Sequence, residues 1–272
     1  MTVYLGKNPV GVGRIVEKKV AKEKYGATVD TFLGDVDADG NYVVPTEPVE
    51  INLAGLKSVP NYGFSYKFYG IRKLAVNAND VVSVGREGFR YAFATPNTFE
   101  ADSLSVSFDN LEVVDSQNAF EYACHNRASL FNKTIISFKK LKKIAASNAF
   151  QYFGNQIDPD FDEIFPSLEE ISGNNVFGGA FRIAVNSVIT LSKVKKITGS
   201  TSQYASTIGS IYYQNTVWNF PSATEFTGYI WNTGSSYTGE IHFAAANQAA
   251  IESCEGYSYK WGFQNATIYF DL

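Results

Sequence analysis

An apolar triplet with a spacing of three residues occurs seven times along the chain. The first members of successive triplets are 25 to 30 residues apart. The triplets are Leu53/Leu56/Val59, Ala78/Val81/Val84, Phe108/Leu111/Val114, Phe138/Leu141/Ile144, Phe165/Leu168/Ile171, Leu191/Val194/Ile197 and Phe220/Ala223/Phe226. A repeat of this length is typical of stacked supersecondary units, because one unit cannot bury its apolar face alone. The pattern therefore predicts a solenoid.

Each repeat also has a recognisable beginning and end. Five-residue stretches that alternate apolar and polar residues precede triplets, as at 104–108 and 134–138, and such alternation indicates a half-buried strand. Five or six residues after the triplet comes an aromatic residue among small ones, which we expect to lie in the core. These aromatics are Phe64, Phe89, Phe120, Phe150 and Phe177.

Two repeats are nearly copies of each other, "SFDNLEVVDSQNAF" at 107–120 and "SFKKLKKIAASNAF" at 137–150. They resemble the BspA-like leucine-rich repeat family of bacterial surface and phage-borne proteins, and the resemblance extends over roughly 50–245. It implies a leucine-rich-repeat solenoid, α/β or mainly β, of about seven coils with a parallel sheet on the concave face. The motif says little about the ligand, because family members bind different partners on the same scaffold.

The ends of the chain differ from its middle. Residues 1–50 lack the repeat, and alternation around Asn8-Pro9 predicts an N-terminal cap with a β-hairpin. The solenoid is expected over 51–238. Residues 239–272 contain a strand pattern, a helical turn and a last strand, and they are predicted to cap the final coil.

Composition and charge exclude several classes of protein. The net charge of -4 and the pI near 5.3 argue against a nucleic-acid partner, and the densest basic cluster, 139–143, is expected to be solvated. No apolar stretch is long enough to cross a membrane, and the first twenty residues predict no secretory signal. Cys124 and Cys254 are between four and five coils apart, roughly 20 Å, and are predicted to be free thiols.

Metal and catalytic chemistry find little support. Asp35, Asp37 and Asp39 precede Gly40 with the spacing of a calcium loop, but Thr46 stands where such a loop needs a glutamate, and a hairpin turn explains the same residues. The three aspartates are a weak metal candidate, and no cofactor is predicted. His125 and His242 are about four coils apart and cannot share a site. We predict no enzyme activity, and we interpret Glu240 and His242 as a surface ion pair.

If the alternating apolar residues point into the core, their neighbours form the open face of the parallel sheet. The side chains in this row are small and mildly polar. Such side chains suit a broad, shallow contact with a protein or glycan, and they equally suit a solvated sheet. The candidate ligand-binding residues are Asn77, Ser105, Ser107, Ile135, Ser137, Thr190, Ser192, Asn219 and His242.

A second candidate surface is aromatic. Tyrosine and phenylalanine residues follow the core phenylalanine of successive coils and should stack into a ladder, which either fills space between coils or offers a platform for sugars or a partner protein. Its members are Tyr66, Phe68, Tyr69, Tyr91, Phe93, Tyr122, Tyr152 and Phe153. One coil breaks the pattern, since aligning Phe165 with Phe138 turns Glu163 inward. Either the strand shifts by one residue there or the carboxylate is paired.

These observations predict a non-enzymatic binding protein. The segments "VYLG", "YGATVDTFLGDVDADG" and "ATIYFDL" are similar to the ends of short leucine-rich-repeat proteins from phage tail-gene regions. The resemblance implies a tail-associated protein, in the virion or at an extracellular surface, that attaches to protein or glycan on a bacterium. The N-terminal cap would serve assembly with other virion proteins. A bacterial cell-surface adhesin and a passive structural spacer remain alternatives.

Overall fold

The chain folds as a parallel β-solenoid in which each repeat forms one rung. A computed structural model describes residues 2–4, 49–68, 71, 73–94, 103–125, 134–154, 160–180, 188–199, 207–208, 216–228, 239–254 and 266–272. The seven triplets lie on successive rungs, which gives about six turns and confirms the predicted solenoid. The pairings between neighbouring strands in these residues are parallel.

A strand precedes each triplet except the one at Phe165, and these strands belong to two sheets. Sheet 1 contains, in spatial order, β1 (Thr2–Tyr4), β2 (Val49–Asn52), β4 (Lys73–Asn77), β6 (Ser103–Ser107) and β8 (Thr134–Ser137). Sheet 2 contains β11 (Val188–Thr190), β13 (Thr216–Phe220), β15 (Gly239–Phe243) and β16 (Ala266–Phe270).

Shorter strands carry the last residue of each triplet. Sheet 3 contains β7 (Val113–Val114), β9 (Lys143–Ala145), β10 (Glu170–Ser172), β12 (Lys196–Thr198) and β14 (Glu225–Thr227). Sheet 4 contains β3 (Ser58–Val59) and β5 (Ser83–Val84). The helical elements are short: α1 (Phe161–Ile164), a 3-10 turn (Ala245–Asn247) and α2 (Gln248–Glu252).

Phenylalanine rings stack from rung to rung in the core. The five aromatics predicted to be buried are all buried, and their ring centroids are 5.1 to 5.7 Å apart along the column from Phe64 to Phe177. A second column runs through Phe108, Phe138 and Phe165, and the two columns meet edge to face, as between Phe120 and Phe138. Edge-to-face contact suits the ring quadrupoles, so the stack adds specific geometry to apolar burial.

The third side of the solenoid is a rib of stacked turns at 60–68, 85–94, 115–125, 146–154 and 173–180, here called the turn rib. Alternate N–H groups in it donate to the next rung, as from Phe120 to the carbonyl of Ala149. The intervening ones donate three residues back, as from Glu121 to the carbonyl of Asn118. Buried backbone polar groups need hydrogen-bond partners. The alternating pattern provides these partners although the turns are not β-strands.

Two positions that recur in every turn of the rib have left-handed backbone, with φ between 50° and 68°. The first position is occupied by Tyr62, Glu87, Asn118, Asn148 and Asn175, and the second by Tyr66, Tyr91, Tyr122, Tyr152 and Gly179. This conformation costs on the order of 1 kcal/mol or more for a residue with a side chain. Packing between rungs must offset that cost, most of all at the tyrosines.

The rung at 160–165 departs from the strand pattern. Instead of a shifted strand or a paired carboxylate, the chain forms helix α1, and the Glu163 side chain is exposed. Asp160 caps this helix by accepting a hydrogen bond from the Glu163 N–H at 3.1 Å. Phe161 and Ile164, three residues apart, are the buried positions. Because α1 lies between β8 and β11, the predicted continuous sheet is divided into sheets 1 and 2.

The chain ends add rungs to the solenoid. Strand β1 pairs with β2, while the predicted N-terminal hairpin and Asp35, Asp37 and Asp39 lie outside the described residues. At the other end the predicted helical turn is α2, and the predicted last strand is β16, which pairs with β15 and so extends sheet 2. Cys124 is buried and Cys254 is half-buried, and neither forms a disulfide, as predicted.

Candidate binding surface

The outward residues of sheet 1 form two columns. Glu50, Ala75, Ser105 and Ile135 stand opposite one another on successive strands. We call the other column the amide–hydroxyl column, and it consists of Asn52, Asn77, Ser107 and Ser137. Neighbouring strands are about 4.8 Å apart, so a ligand two or three rungs long can contact several of these side chains at once.

The two columns border a shallow depression of about 290 Å³. Its lining consists of Glu50, Ile51, Asn52, Ala75, Val76, Asn77, Asn79, Ser105 and Ser107. Three of the residues predicted from sequence, Asn77, Ser105 and Ser107, are therefore brought together. The lining is mostly amide and hydroxyl, which favours a ligand recognised by hydrogen bonds over one recognised by charge.

Some of these polar groups are already used to hold the backbone. Asn52 Oδ1 accepts from the Ala54 N–H at 3.0 Å, and Asn77 Oδ1 accepts from the Asn79 N–H at 3.1 Å. No described residue accepts from the Nδ2 groups of these two asparagines, and none pairs with the hydroxyls of Ser105 and Ser107. The bonds to Oδ1 hold the asparagine side chains in place, while the Nδ2 and hydroxyl groups remain available to a ligand. Such a surface is rigid and can donate hydrogen bonds.

Ser137 lies at the margin of this surface. Its hydroxyl donates to Asp109 Oδ1 at 2.6 Å, and Lys139 Nζ lies 2.7 Å from Asp109 Oδ2. Burial raises the pKa of Asp109, but the hydrogen bonds from Lys139 and Ser137 outweigh it, so that this pKa lies below its ordinary value. The Ser137 hydroxyl is thus engaged by the Asp109 carboxylate and is not available to a ligand.

The other predicted residues lie apart from the depression. Ile135 follows Ser105 in its column and is 64% exposed. Thr190 and Asn219 belong to sheet 2, where Asn219 Nδ2 donates to Thr190 Oγ1 at 3.3 Å. Ser192 was expected on the sheet face, but β11 ends at Thr190, and Ser192 lies in the following turn. Its N–H donates to Asp162 of α1 at 2.8 Å, which ties that turn to the helix.

His242 lies on the outer face of β15 between two carboxylates. Its Nε2 is 3.2 Å from Glu240 Oε2, which confirms the predicted pair, and its Nδ1 is 2.7 Å from Asp271 Oδ1. The ring also stacks on Tyr269 at 4.6 Å. The two carboxylates approach opposite nitrogens and do not converge on one point. Within the part of the chain that the structure describes, no group of three or more metal-ligating side chains occurs.

The tyrosines form the predicted ladder, and most of their ring faces are covered by neighbouring rings. The rings of Tyr66, Tyr91, Tyr122 and Tyr152 stack with centroids 4.4 to 4.6 Å apart and with planes within 17°. The interior rings therefore cover each other's faces and leave only edges for a ligand. Phe68, Phe93 and Phe153 are buried, while Tyr69 lies outside the described residues.

A buried ion pair lies beside this ladder. Arg90 Nε is 2.6 Å from Glu121 Oε2 on the next rung, and Arg90 Nη1 is 3.2 Å from Glu87 Oε2. Burial raises the pKa of Glu121 more than Arg90 lowers it. Burial also raises the pKa of Tyr122 to about 12, with Tyr91 and Glu121 adding to the effect. The Tyr122 hydroxyl is accordingly protonated at neutral pH.

Three of the four lysines in the basic cluster are paired with carboxylates of neighbouring rungs. Lys139 pairs with Asp109, Lys142 with Glu112 at 3.3 Å, and Lys143 with Glu170 at 2.6 Å. Lys140 Nζ donates to Asn110 Oδ1 at 2.7 Å. Most of the positive charge in this cluster is therefore balanced, and the paired lysines are largely exposed, in keeping with the prediction of a solvated face.

Sequence reasoning missed Asn52, Glu50 and Asn79 in the depression and Asp271 beside His242. Asn52 could have been found, because it lies one repeat before Asn77. Asp271 could not, because its position depends on how the last strand stacks.

No helix in the described ranges is long and apolar enough to span a membrane. Comparison of the chain with models of protein families, with curated proteins and with solved structures gives no match in any of the three.

Proposed function

We propose that this protein is a non-enzymatic adhesion protein that attaches a virion to a bacterial surface through the outer face of sheet 1. The single observation that carries the proposal is the polar depression across β2, β4 and β6. Side chains from three rungs converge there, and their open donors are held on strands whose pairing is fixed. A rigid surface loses little conformational entropy when it binds.

A glycan fits the depression better than a protein does. Its volume of about 290 Å³ is enough for one or two sugar units, and its lining is mostly amide and hydroxyl. A protein contact of lasting affinity needs a larger area with buried aromatic or arginine anchors. None of the residues that line this depression is aromatic or arginine.

The leucine-rich-repeat assignment and the virion location rest on the resemblance of the repeats and chain ends to BspA-like and phage tail proteins. In this proposal the repeats bind the bacterium, and residues 1–50 join the protein to other virion components. The location is tested by mass spectrometry of purified phage particles. Recovery of the protein only from bacterial envelopes would favour a bacterial adhesin instead.

The binding site is tested with Ser107→Arg, which fills the depression with a long charged side chain. The measurement is retention of purified protein on envelope fractions and glycan arrays from candidate host bacteria. We expect loss of retention with unchanged thermal unfolding. Ser137→Arg, at the margin of the surface, should weaken binding less.

The matched control is Gln117→Arg, which adds the same single charge at an exposed position of the turn rib. It should bind as the parent does. Retention that is equal in the parent and in Ser107→Arg would overturn the proposed face. No retention of the parent on any envelope or glycan would indicate a structural spacer.

A further inference from the structure

The hydrogen-bond donors of the depression on sheet 1 repeat from rung to rung. Asn52, Asn77 and Ser107 stand opposite one another on β2, β4 and β6, so that neighbouring donors are about 4.8 Å apart across the sheet. The Oδ1 atoms of Asn52 and Asn77 accept from the backbone N–H two residues later, at 3.0 and 3.1 Å. Their Nδ2 groups are therefore the atoms that can donate to a ligand, and each of the three rungs offers one donor in the same column.

These donors repeat across the sheet and not along its strands. On β2 and β4 the outward residue two positions before the asparagine is Glu50 or Ala75, and neither a carboxylate nor a methyl group donates a hydrogen bond. A polymer that lay along either strand would meet one donor of this column. A polymer that crossed the strands would meet one on every rung, so the geometry favours a ligand that runs parallel to the solenoid axis.

We propose that this column binds an extended, uncharged glycan of β-1,4-linked, glucose-type rings, with one ring on each rung. The inference rests on the proposed function and adds the linkage and direction of the ligand. Equatorial bonds join the rings of such a glycan, so the chain is straight and advances by roughly 5 Å per ring, nearly the strand spacing of about 4.8 Å. Successive rings are flipped, but both edges of each ring carry oxygen atoms that can accept from the donor of that rung.

The lining of the depression favours an uncharged chain that lies flat against the sheet. No lysine, arginine or histidine is among the residues that line it, so an acidic sugar would find no cation there. Ala75 lies between Glu50 and Ser105 in the neighbouring column, and its small side chain leaves room for a ring beside Asn77. Because the depression is shallow, with a volume of about 290 Å³, each ring lies partly above it and three rings can contact the column together.

The test measures binding of cello- and chito-oligosaccharides of one to three rings to the whole protein by calorimetry. We expect at least one of the two trisaccharides to bind with a dissociation constant of about 1 mM or tighter. Affinity within that series should rise about fivefold with each ring, because each ring adds a hydrogen bond. Maltotriose has the same rings as cellotriose but α-1,4 linkages that curve the chain, so it should bind more weakly than the better β-1,4 trisaccharide.

Asn77→Asp removes the central donor and keeps an oxygen that can accept from the Asn79 N–H, so it should weaken trisaccharide binding by about tenfold with little change in thermal unfolding. Asn174→Asp is the matched control, because it adds the same charge at an exposed position of the turn rib. It should leave binding unchanged.

Ser107→Ala tests whether each rung holds one ring. It should weaken trisaccharide binding about fivefold but change disaccharide binding by only about twofold, because a disaccharide can still occupy β2 and β4. Equal losses for the two lengths would overturn the arrangement of one ring on each rung.

Three other results would overturn the proposal: affinity that does not depend on chain length, maltotriose that binds as tightly as the better β-1,4 trisaccharide, or neither trisaccharide binding. If the trisaccharides fail but retention on bacterial envelopes is still lost in Ser107→Arg, the linkage proposed here is wrong and the binding face stands. Retention that is unaffected by Ser107→Arg rejects the binding face, and this inference with it.

Discussion

The backbone of Gly179 lies against the ring of Tyr152, so closely that a Cβ at residue 179 would stand 2.6 Å from Cε1 of that ring. Each of the four preceding turns of the rib that the structure describes has a tyrosine at this place in the column, and each of those tyrosines has a left-handed backbone. Glycine at this rung ends the stack because it has no ring to add and no side chain to hold Tyr152 away.

Gly179→Ala should therefore destabilise the protein by two effects. The left-handed backbone, with φ of 68°, costs about 1–2 kcal/mol for alanine, and displacement of the Tyr152 ring adds about 1 kcal/mol. The measurement is chemical denaturation. Gly55→Ala separates the effects, because Gly55 has φ of 83° but nothing within 4 Å of its Cβ position. Equal losses in the two variants would show that the contact with Tyr152 is not significant.

Arg90→Met should lower the free energy of unfolding by about 2 kcal/mol at neutral pH, because it leaves the buried carboxylate of Glu121 without its cation and leaves Glu87 with Arg86 alone. This value is below that for a fully buried pair, since 31% of the Arg90 side chain is exposed. The loss should shrink in acid, where both carboxyls are neutral. A loss that is independent of pH would mean that packing of the arginine, and not its charge, stabilises the rib.

Glu121 itself should make stability fall as pH rises. Its pKa in the folded protein lies above the ordinary value of 4.5, so the folded state holds the proton more tightly than the unfolded chain does. The free energy of unfolding should decrease from about pH 4.5 to the folded pKa. Glu121→Gln should remove this decrease in pH-dependent denaturation, and persistence of the full decrease would show that another group causes it.

Ser137→Ala should raise the pKa of Asp109, because it removes one of the hydrogen bonds that favour the ionised carboxyl. A carboxylate with a lowered pKa stabilises the fold above its unfolded pKa of about 3.9, and the stabilisation is lost as pH falls through the folded pKa. The variant should lose about 1 kcal/mol at neutral pH. NMR titration of the Asp109 carboxyl measures the shift. Ser105→Ala is the control, and an unchanged Asp109 pKa in Ser137→Ala would contradict the prediction.

Charges of alternating sign occupy one column of sheet 3: Lys143, Glu170, Lys196 and Glu225. Lys143 lies 2.6 Å from Glu170, and Lys196 lies 2.8 Å from Glu225. Hydrogen bonding and charge attraction from Lys143 lower the pKa of Glu170. Glu170→Lys would place three lysines on consecutive rungs.

This variant should unfold at a lower temperature than Glu170→Gln, which in turn should unfold slightly below the parent. Added salt should reduce the difference in unfolding temperature between the two variants, because these side chains are solvated. Thermal unfolding at low and high ionic strength measures the effect. A gap between the Lys and Gln variants that is insensitive to salt would rule out charge repulsion as its cause.

The period of the apolar triplet was enough to predict stacked rungs, and the position of Phe120 relative to Phe108 was enough to place both in the core. These features are local: an apolar residue at the same place in every repeat must face the neighbouring repeat, whatever else the chain does. The outward direction of Ser105 and Ser107 follows from strand alternation in the same way.

Tertiary structure alone decided what those surfaces present. Alternation at 161–165 suggested a strand with an inward Glu163, whereas the cap formed by Asp160 turned the rung into a helix and divided the sheet. Likewise the sequence predicted a tyrosine ladder but not which ring faces are covered. That depends on contacts between residues 25 to 31 positions apart, such as Tyr66 with Tyr91 and Tyr91 with Tyr122, whose distances are set by the stacking of whole rungs. Repetition in a sequence specifies which residues are neighbours, but the space left between them is fixed only when the rungs pack.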